Sequence, residues 1–275
     1  MHYYDSHIHT VFSHDGRQTM RDACEAAIKN GISGIAITDH ADPWVFEDDM
    51  TAKCIAASVG SAAASAEYYR DRLKVFRGVE LGEPFHDSKI TEFMLKNYDY
   101  DIVIGSIHML VYEDLNIAYS GIDFSPENMS DEKLAGYLGA YFEELYKMAK
   151  YADYDVLAHL DCPRRYINGK YHRGVSLDAY HDVIDAILTE VINRGKSLEL
   201  NSSGIGEYYG QFMPNGDILA RYADLGGTMI TLGSDAHREG RVGAGLKEAA
   251  ELAAAHGFDR YYYYENRTPM SVAIE

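Results

Sequence analysis

Imidazole and carboxylate side chains recur at the ends of the predicted strands of this 275-residue chain. His7 and His9 end the first predicted strand as His-Ile-His, a spacing that places both imidazoles on one face of an extended backbone. Later strand ends, and the loop after the first strand, supply further groups of the same chemistry: Asp15, His40, Glu80, His108, His159, Asp235 and His237. Nitrogen and oxygen ligands without thiolate suit zinc, manganese or iron, and this number of groups exceeds what one ion can use. The sequence therefore predicts two or three divalent metal ions as cofactors.

The charge of such a site indicates the class of substrate. Its three carboxylates contribute about −3 and three divalent ions about +6, so the filled site retains a charge of about +3. A hydroxide and a phosphate monoester dianion together bring that charge close to zero. Metal clusters of this kind accelerate phosphoryl transfer because they generate hydroxide near neutral pH and hold the attacking and leaving oxygens. We therefore expect a small phosphate monoester as the substrate.

Short aliphatic or β-branched runs alternate with amphipathic runs along the chain. The predicted strands are residues 2–7, 32–38, 74–81, 101–107, 154–159, 197–201 and 228–234. The predicted helices are residues 19–30, 51–72, 87–97, 131–152, 176–194, 214–226 and 243–256, and Tyr261–Tyr264 predicts one more strand. Repeated strand–helix units indicate a parallel sheet, and seven of them favour a closed or nearly closed α/β barrel with its site at the C-terminal ends of the strands. Because no linker, repeat or low-complexity segment divides residues 1–275, we expect one domain.

The composition disfavours several other classes of protein. With 43 acidic and 25 basic residues the formal net charge is −18, and such a surface repels a nucleic-acid backbone. No run of about 18 apolar residues is present and the N-terminus lacks a signal-peptide pattern, so we expect no membrane association and a cytoplasmic location. Cys24, Cys54 and Cys162 are too widely spaced to indicate a disulfide framework or a thiolate zinc site. The composition does not indicate an oligomeric state.

Short motifs surround the candidate metal ligands. They are Asp5-Ser6-His7-Ile8-His9-Thr10, Ser13-His14-Asp15-Gly16, Thr38-Asp39-His40, Gly78-Val79-Glu80, Gly105-Ser106-Ile107-His108, Ala158-His159-Leu160-Asp161 and Ser234-Asp235-Ala236-His237. In this order the set resembles the polymerase and histidinol phosphatase (PHP) superfamily, in particular its histidinol-phosphatase branch. The resemblance implies a distorted (β/α)7 barrel with a trinuclear metal centre.

The resemblance also implies a set of ligands for each ion. The positions that match the first set are His7, His9, Glu80 and Asp235; those of the second set are Glu80, His108 and His159; those of the third set are Asp15, His40 and His237. Asp15 stands where many members of the family have histidine, and an aspartate can still ligate a metal ion. Glu80 is the residue expected to contact two ions.

Arginines after the fifth predicted strand are candidates for phosphate binding. The segment from His159 to Ile167 resembles the histidinol-phosphatase branch, and its Arg164 and Arg165 offer planar guanidinium donors that fit phosphate oxygens. The alternative for both is a surface loop. Arg238 and Asn201 are further candidates for substrate binding. The leaving alcohol needs a proton, for which the candidate donors are Asp161, Asp235 and His237.

The segment Leu110–Ser130 follows a strand that carries a predicted ligand, and it is rich in acidic and aromatic residues. Two interpretations stay open at this point. The segment closes over a small cationic amine, or it is a solvated loop.

The resemblance implies a metal-dependent phosphomonoesterase of the histidinol-phosphatase type, which hydrolyses L-histidinol phosphate in histidine biosynthesis. An alternative is a PHP-type nuclease or another small-phosphoester hydrolase, and the charge of −18 and the lack of a basic aromatic groove disfavour a nucleic-acid substrate. A non-enzymatic alternative is a metal-binding interaction protein. Competent ligands at every matched position disfavour that alternative.

Overall fold

The computed structural model describes residues 2–42, 49–206 and 208–274, which form an α/β fold. Its strands are β1 (Tyr3–Ile8), β2 (Ile32–Ile37), β3 (His40–Ala41), β4 (Lys74–Gly82), β5 (Ile102–Ser106), β6 (Met109–Tyr112), β7 (Leu115–Ala118), β8 (Val156–Leu157), β9 (Ser197–Asn201), β10 (Ile230–Gly233), β11 (Arg260–Glu265) and β12 (Thr268–Ala273). Its helices are α1 (Met20–Lys29), α2 (Asp49–Tyr69), α3 (Ser88–Asn97), α4 (Asp131–Tyr151), α5 (His181–Asn193), α6 (Gly216–Asp224) and α7 (Leu246–Ala255). In these ranges no helix has the length and apolar character needed to cross a membrane.

Strands in the described part of the chain pair side by side in parallel, in the order β1, β2, β4, β5, β8, β9 and β10. The first and last of these strands then meet. The Asp235 N–H donates to the His7 carbonyl at 2.8 Å, and the His9 N–H donates to the Ala236 carbonyl at 3.0 Å. We call these two hydrogen bonds the closure seam, because they join the end of β1 to the residues after β10. The predicted distorted (β/α)7 barrel is confirmed.

Apolar helix faces cover the strands and leave the strand ends free to carry polar groups. The clearest case is α4, which begins after Ser130, whose hydroxyl accepts the Lys133 N–H. Along one face this helix buries Leu134, Leu138 and Leu145. Each fully buried leucine contributes about 1.5–3 kcal/mol to stability. The amphipathic stripe predicted for residues 131–152 is therefore the face that packs on the core.

Some element boundaries differ from the prediction. The predicted strand 154–159 forms only β8, because beyond it the His159 N–H donates to the Glu199 carboxylate at 2.9 Å instead of to a neighbouring strand. The predicted helix 176–194 becomes α-helical only at His181, after a 3-10 turn at Asp178–Tyr180. Side-chain acceptors and local turns that periodicity does not reveal set both boundaries.

The segment Leu110–Ser130 contains an antiparallel hairpin, β6 and β7, followed by a 3-10 turn at Tyr119–Gly121.

Near the other end of the chain, β11 confirms the strand predicted for Tyr261–Tyr264. It pairs in parallel with β10 and antiparallel with β12. In the turn between β11 and β12, Arg267 Nε donates to Asp155 Oδ2 at 2.8 Å. Asp155 directly precedes β8, so this hairpin is tied to the amino ends of the strands, away from the predicted ligands.

Candidate metal centre

Glu80, near the carboxyl end of β4, lies at the centre of the predicted ligands. Its Oε2 is 3.3 Å from His7 Nε2 and 3.4 Å from His9 Nε2, and these two nitrogens are 3.0 Å apart. Asp235 Oδ1 is 3.7 Å from His7 Nε2 and 3.4 Å from His9 Nε2. Bonds of about 2.0–2.1 Å to a tetrahedral ion separate its ligands by about 3.3 Å, so these four atoms can surround one ion. We call them the first ligand group.

The other carboxylate oxygen of Glu80 faces a second pair of imidazoles. Glu80 Oε1 is 3.1 Å from His108 Nε2, in the segment after β5, and 2.9 Å from His159 Nε2, after β8. We call these three atoms the second ligand group. One buried carboxylate thus lies between the two groups, and the family resemblance implies the same position for it.

A third ligand group, formed by Asp15, His40 and His237, lies nearer the surface. His237 Nε2 is 3.1 Å from Asp15 Oδ2, and His40 Nε2 is 3.6 Å from Asp15 Oδ1. The side chain of Asp15 is 45% exposed, whereas that of Glu80 is 1% exposed. His40 also places its Nδ1 3.1 Å from Glu80 Oε2. The third group is therefore open to solvent and adjoins the first.

The buried polar atoms of the centre fit cations better than they fit internal hydrogen bonds. Glu80 Oε2 has imidazole nitrogens of His7, His9 and His40 within 3.4 Å, yet it has no hydrogen-bond partner among the described residues. A buried polar atom without a partner costs about 1–3 kcal/mol, and more when it is charged, unless a cation neutralises it. Candidate ligand atoms in each cluster lie within 4.8 Å of one another. The donor set therefore fits divalent ions.

The carboxylates and imidazoles of the centre shift each other's pKa. Burial alone would raise the pKa of Glu80, but the imidazoles of His108 and His7 hold it well below its usual range. Burial alone would lower the pKa of His237, but Asp15 and Asp235 raise it to about 9. The Glu80 carboxylate thus stays ionised, as a metal ligand must. His237 must lose a proton before Nε2 binds an ion, so occupation of the third group should weaken as the pH falls.

Glu199, which is not among the predicted site residues, orients two of the predicted ligands. This residue is fully buried on β9, where its Oε1 lies 2.6 Å from His7 Nδ1 and its Oε2 accepts the His159 N–H at 2.9 Å. Asn201 donates its Nδ2 to the same Oε2 at 3.1 Å and to Asp235 Oδ2 at 3.4 Å. A carboxylate on the second nitrogen of a ligating imidazole fixes its tautomer and raises its basicity. The available signal was a glutamate between two leucines in a predicted buried strand.

Two more buried carboxylates, also missed from the sequence, support His108. Asp42 Oδ1, after β3, is 3.7 Å from His108 Nδ1. Glu83 accepts the N–H of His108 and, at 2.8 Å, that of Met109. Burial and the neighbouring Asp42 raise the pKa of Glu83 to about 7. The spacing His40-Ala-Asp42 repeats the same-face pattern of His7-Ile-His9, and that spacing could have indicated Asp42.

A cavity of about 140 Å³ opens over the three ligand groups, and we call it the metal cavity. Apart from ligands and their immediate neighbours, its walls include Tyr119, Ser120, Cys162, Arg165 and Tyr166. Tyr119 and Ser120 belong to the segment Leu110–Ser130, so part of that segment does face the site. Its acidic residues Glu113 and Asp114 instead contact Lys133 on α4. The segment contributes an aromatic wall rather than a negative one.

The predicted substrate-binding and proton-donating residues fall in different places. Arg165 lines the metal cavity, and Arg238 lines a second cavity beside it. Arg164 is not among the described residues that line these two cavities. Its Nη1 instead lies 3.2 Å from Asp161 Oδ2. Asp161 is fully buried, which raises its pKa to about 6 although Arg164 opposes the shift. Of the three predicted proton donors, Asp235 and His237 reach the metal cavity.

Comparison with known proteins agrees with the fold and the motifs. The PHP domain model matches residues 5–203. A probable histidinol-phosphatase of Clostridium acetobutylicum is 30% identical over 263 residues, which cover 91% of this chain and 92% of that protein. The histidinol-phosphatase of Lactococcus lactis is 27% identical over 256 residues, which cover 92% and 91%.

Among solved structures, histidinol phosphate phosphatase from Lactococcus lactis, complexed with zinc, L-histidinol and phosphate, superposes with a TM-score of 0.78. The match covers 98% of each chain at 23% sequence identity, so it bears on the fold alone. The family match covers β1 to β9, which carry the predicted ligands other than Asp235 and His237. The chain therefore belongs to the PHP domain family and, within it, to the histidinol-phosphatase branch.

Proposed function

We propose that this chain is a metal-dependent phosphatase that hydrolyses L-histidinol phosphate to L-histidinol and inorganic phosphate, a step of histidine biosynthesis. The observation that carries the proposal is the Glu80 carboxylate shared by two ligand groups, with the third group and Arg165 on the same cavity. Relatives that are histidinol-phosphatases support the choice of substrate.

The three ligand groups would hold divalent ions, and zinc, manganese or iron suits their nitrogen and oxygen donors. Bound ions would supply positive charge that stabilises the phosphoryl oxygens in the transition state. Glu199 holds the imidazole of His7 through Nδ1, so that Nε2 faces the carboxylates of Glu80 and Asp235. The hydroxyl of Ser13, 3.1 Å from His9 Nδ1, orients His9 in the same way. The protein thus fixes its ligands before any ion is bound.

Arg165 is placed to bind the phosphoryl group. Its guanidinium lines the metal cavity, and its Nη1 donates to Ser203 Oγ at 3.2 Å, which holds the side chain in position. The planar guanidinium can donate to two phosphate oxygens at once. Tyr119 and Tyr166, with ring centroids 5.5 Å apart, offer aromatic faces against which the imidazole of the leaving group can pack.

The leaving alkoxide needs a proton, and the predicted donors differ in what they can supply. His237 holds a proton at neutral pH because its pKa is about 9, but its Nε2 cannot both carry that proton and bind an ion. Asp161 is protonated more readily than an ordinary aspartate, because its pKa is about 6, but it is fully buried and is not among the described residues that line the metal cavity. The variant Asp161→Asn tests whether Asp161 is the proton donor. If it is, the variant hydrolyses L-histidinol phosphate more slowly. Its hydrolysis of p-nitrophenyl phosphate stays unchanged, because the p-nitrophenolate leaving group needs no proton.

The proposed function is tested by phosphate release from L-histidinol phosphate after loading with Zn²⁺ or Mn²⁺. We expect turnover with ions and none after chelation, and we expect Glu80→Ala to abolish it. Glu92→Ala, an exposed carboxylate on α3, is the matched control and should keep wild-type activity. If a short single-stranded oligonucleotide is hydrolysed and L-histidinol phosphate is not, the chain is a nuclease instead.

A further inference from the structure

A second cavity, of about 340 Å³, adjoins the metal cavity and is lined by arginines. The residues it shares with the metal cavity are Asp15, Arg165, Tyr166, Asp235 and His237. Its further lining residues are Arg17, Ser203, Arg238 and Arg241. We call it the arginine cavity. A cluster of guanidinium groups at one point of a chain with net charge −18 needs an explanation.

Several of these guanidinium groups are not neutralised by protein. The side chains of Arg17 and Arg238 make no hydrogen bond or ion pair with any residue that the structure describes. Arg241 Nη2 donates to a neutral acceptor, the Ser203 carbonyl, at 3.4 Å. The acids among the described lining residues, Asp15 and Asp235, belong to the ligand groups, so bound ions would take up their charge. The arginine cavity is therefore positive when the centre is loaded.

The geometry of the arginine cavity is built into the fold. The Arg241 N–H donates to the Arg238 carbonyl at 2.9 Å, which ties the two residues into one turn. The guanidinium of Arg241 lies against Gly206, where a Cβ atom would be 2.1 Å from its Nη1, so a side chain at residue 206 would displace this guanidinium. Ser203 Oγ donates to Asp235 Oδ2 at 3.2 Å, which links this wall to the first ligand group. A ligand in the arginine cavity would thus lie beside the ions.

The proposed substrate does not need this second cavity. L-Histidinol phosphate has one phosphoryl group and a protonated amine, and an amine avoids a wall of guanidinium groups. Its leaving group fits the side of the metal cavity formed by Tyr119, Ser120 and Tyr166, where no arginine other than Arg165 is among the described lining residues. The arginine cavity fits a different ligand, one that carries negative charge.

We propose that the arginine cavity is a second phosphate-binding site beside the metal centre. This inference rests on the proposed phosphatase function, which generates phosphate next to it. The ligand is a tetrahedral oxyanion that accepts charge-assisted hydrogen bonds from several guanidinium groups. It comes either from phosphate released at the ions or from a second phosphate group on the substrate itself.

Calorimetric titration of inorganic phosphate into the metal-loaded protein counts the sites directly. We expect two phosphates per chain in the wild type. In Arg17→Ala/Arg241→Ala, one of them should bind about 10- to 100-fold more weakly. Arg21→Ala, an exposed arginine on α1 that lines neither cavity, is the matched control and should keep both sites. The exposed Arg17→Ala alone replaces the double variant if that variant does not fold. One phosphate per chain in the wild type, or two sites of unchanged affinity in the arginine variant, overturns the proposal.

Kinetics with fructose 1,6-bisphosphate and fructose 6-phosphate separate the two sources of the ligand. If the ligand is a second phosphate of the substrate, KM is about 10-fold lower for the bisphosphate, and the double variant removes that difference. If the ligand is released phosphate, the two sugars have equal KM and the double variant raises the inhibition constant of inorganic phosphate about 10-fold. A double variant that changes neither quantity overturns the proposal. Two bound phosphates without turnover of L-histidinol phosphate would overturn the proposed function and leave the second site standing.

Discussion

Arg164 and Arg165 are adjacent in sequence, but their side chains lie in different surroundings, so substitution should separate catalysis from stability. The guanidinium of Arg165 lines the metal cavity. That of Arg164 pairs with Asp161, and the two side chains are only 12% and 0% exposed. We expect Arg165→Ala to reduce catalysis and Arg164→Ala to reduce stability.

The catalytic effect of Arg165→Ala follows from charge-assisted contacts to the phosphoryl group. Loss of such contacts costs about 2–4 kcal/mol of transition-state stabilisation, or roughly 30- to 1000-fold in kcat/KM. The number of bound ions should not change, because Arg165 is not in a ligand group. Arg165→Lys should recover part of the activity, since lysine restores the charge without the two-donor plane.

The stability effect of Arg164→Ala follows from the buried ion pair. The Asp161 carboxylate would be left without its cation, which costs about 3–5 kcal/mol. A domain of this size loses about 2–4 °C in Tm per kcal/mol, so we expect a fall of roughly 6–20 °C. Asp161→Asn in the same chain should restore part of that loss, because it removes the unpaired charge.

The assays are steady-state kinetics on L-histidinol phosphate and p-nitrophenyl phosphate, together with thermal melting followed by circular dichroism. A phosphate contact by Arg165 lowers kcat/KM similarly on both substrates. The reasoning is refuted if Arg165→Ala keeps wild-type kcat/KM on both. It is also refuted if Arg164→Ala melts at the wild-type temperature while it loses activity.

Three further tests address the ligand groups and the fold. Glu80→Ala should lose the ions of both the first and the second group, because each of its two carboxylate oxygens belongs to one group, whereas Asp15→Ala should lose chiefly the ion of the third group. Elemental analysis after gel filtration measures the number of bound ions. A wild-type number of ions in Glu80→Ala would contradict this assignment. Glu199→Gln removes the negative charge beside His7 Nδ1, so ion affinity should fall about 10- to 100-fold in competition with a chromogenic chelator. An unchanged affinity would mean that His7 does not depend on this partner. Ser130→Ala removes the N-cap of α4 and should cost about 1 kcal/mol, with Tm about 2–4 °C lower and ion content unchanged; an unchanged Tm would show that the cap does not stabilise the helix.

The positions of most candidate ligands were predictable because they lie near or just after the carboxyl end of a strand, and parallel strands of a barrel end on the same face. His7 and His9 illustrate this, because the alternation of side chains along β1 and the end of that strand are both visible in the neighbouring sequence. Glu199 could not be identified in the same way, because its partner His7 is 192 residues away in sequence. Nothing in the sequence around a buried strand glutamate indicates which distant residue it contacts.

The different surroundings of Arg164 and Arg165 could not be predicted from the sequence either. Adjacent arginines have the same chemistry, and their directions depend on the backbone that carries them. Here a π-helical turn, Arg165–Lys170, begins at the second arginine, and periodicity does not predict such a turn. The hairpin of β6 and β7 escaped prediction for a related reason: its strands are four residues each and lack a strong alternation.

The closure seam has a consequence for how the protein is made. It joins residues from distant parts of the chain, and beside it Ser234 Oγ donates to Asp5 Oδ2 at 2.5 Å across 229 residues of sequence. The first ligand group draws His7 and His9 from one side of this seam and Asp235 from the other. A chain still on the ribosome therefore cannot complete that group until β10 has emerged, so metal uptake at the first group must come late in biosynthesis. Contacts of such long sequence separation form slowly, so His7 and His9 lack Asp235 through most of translation, although β1 can already pair with β2.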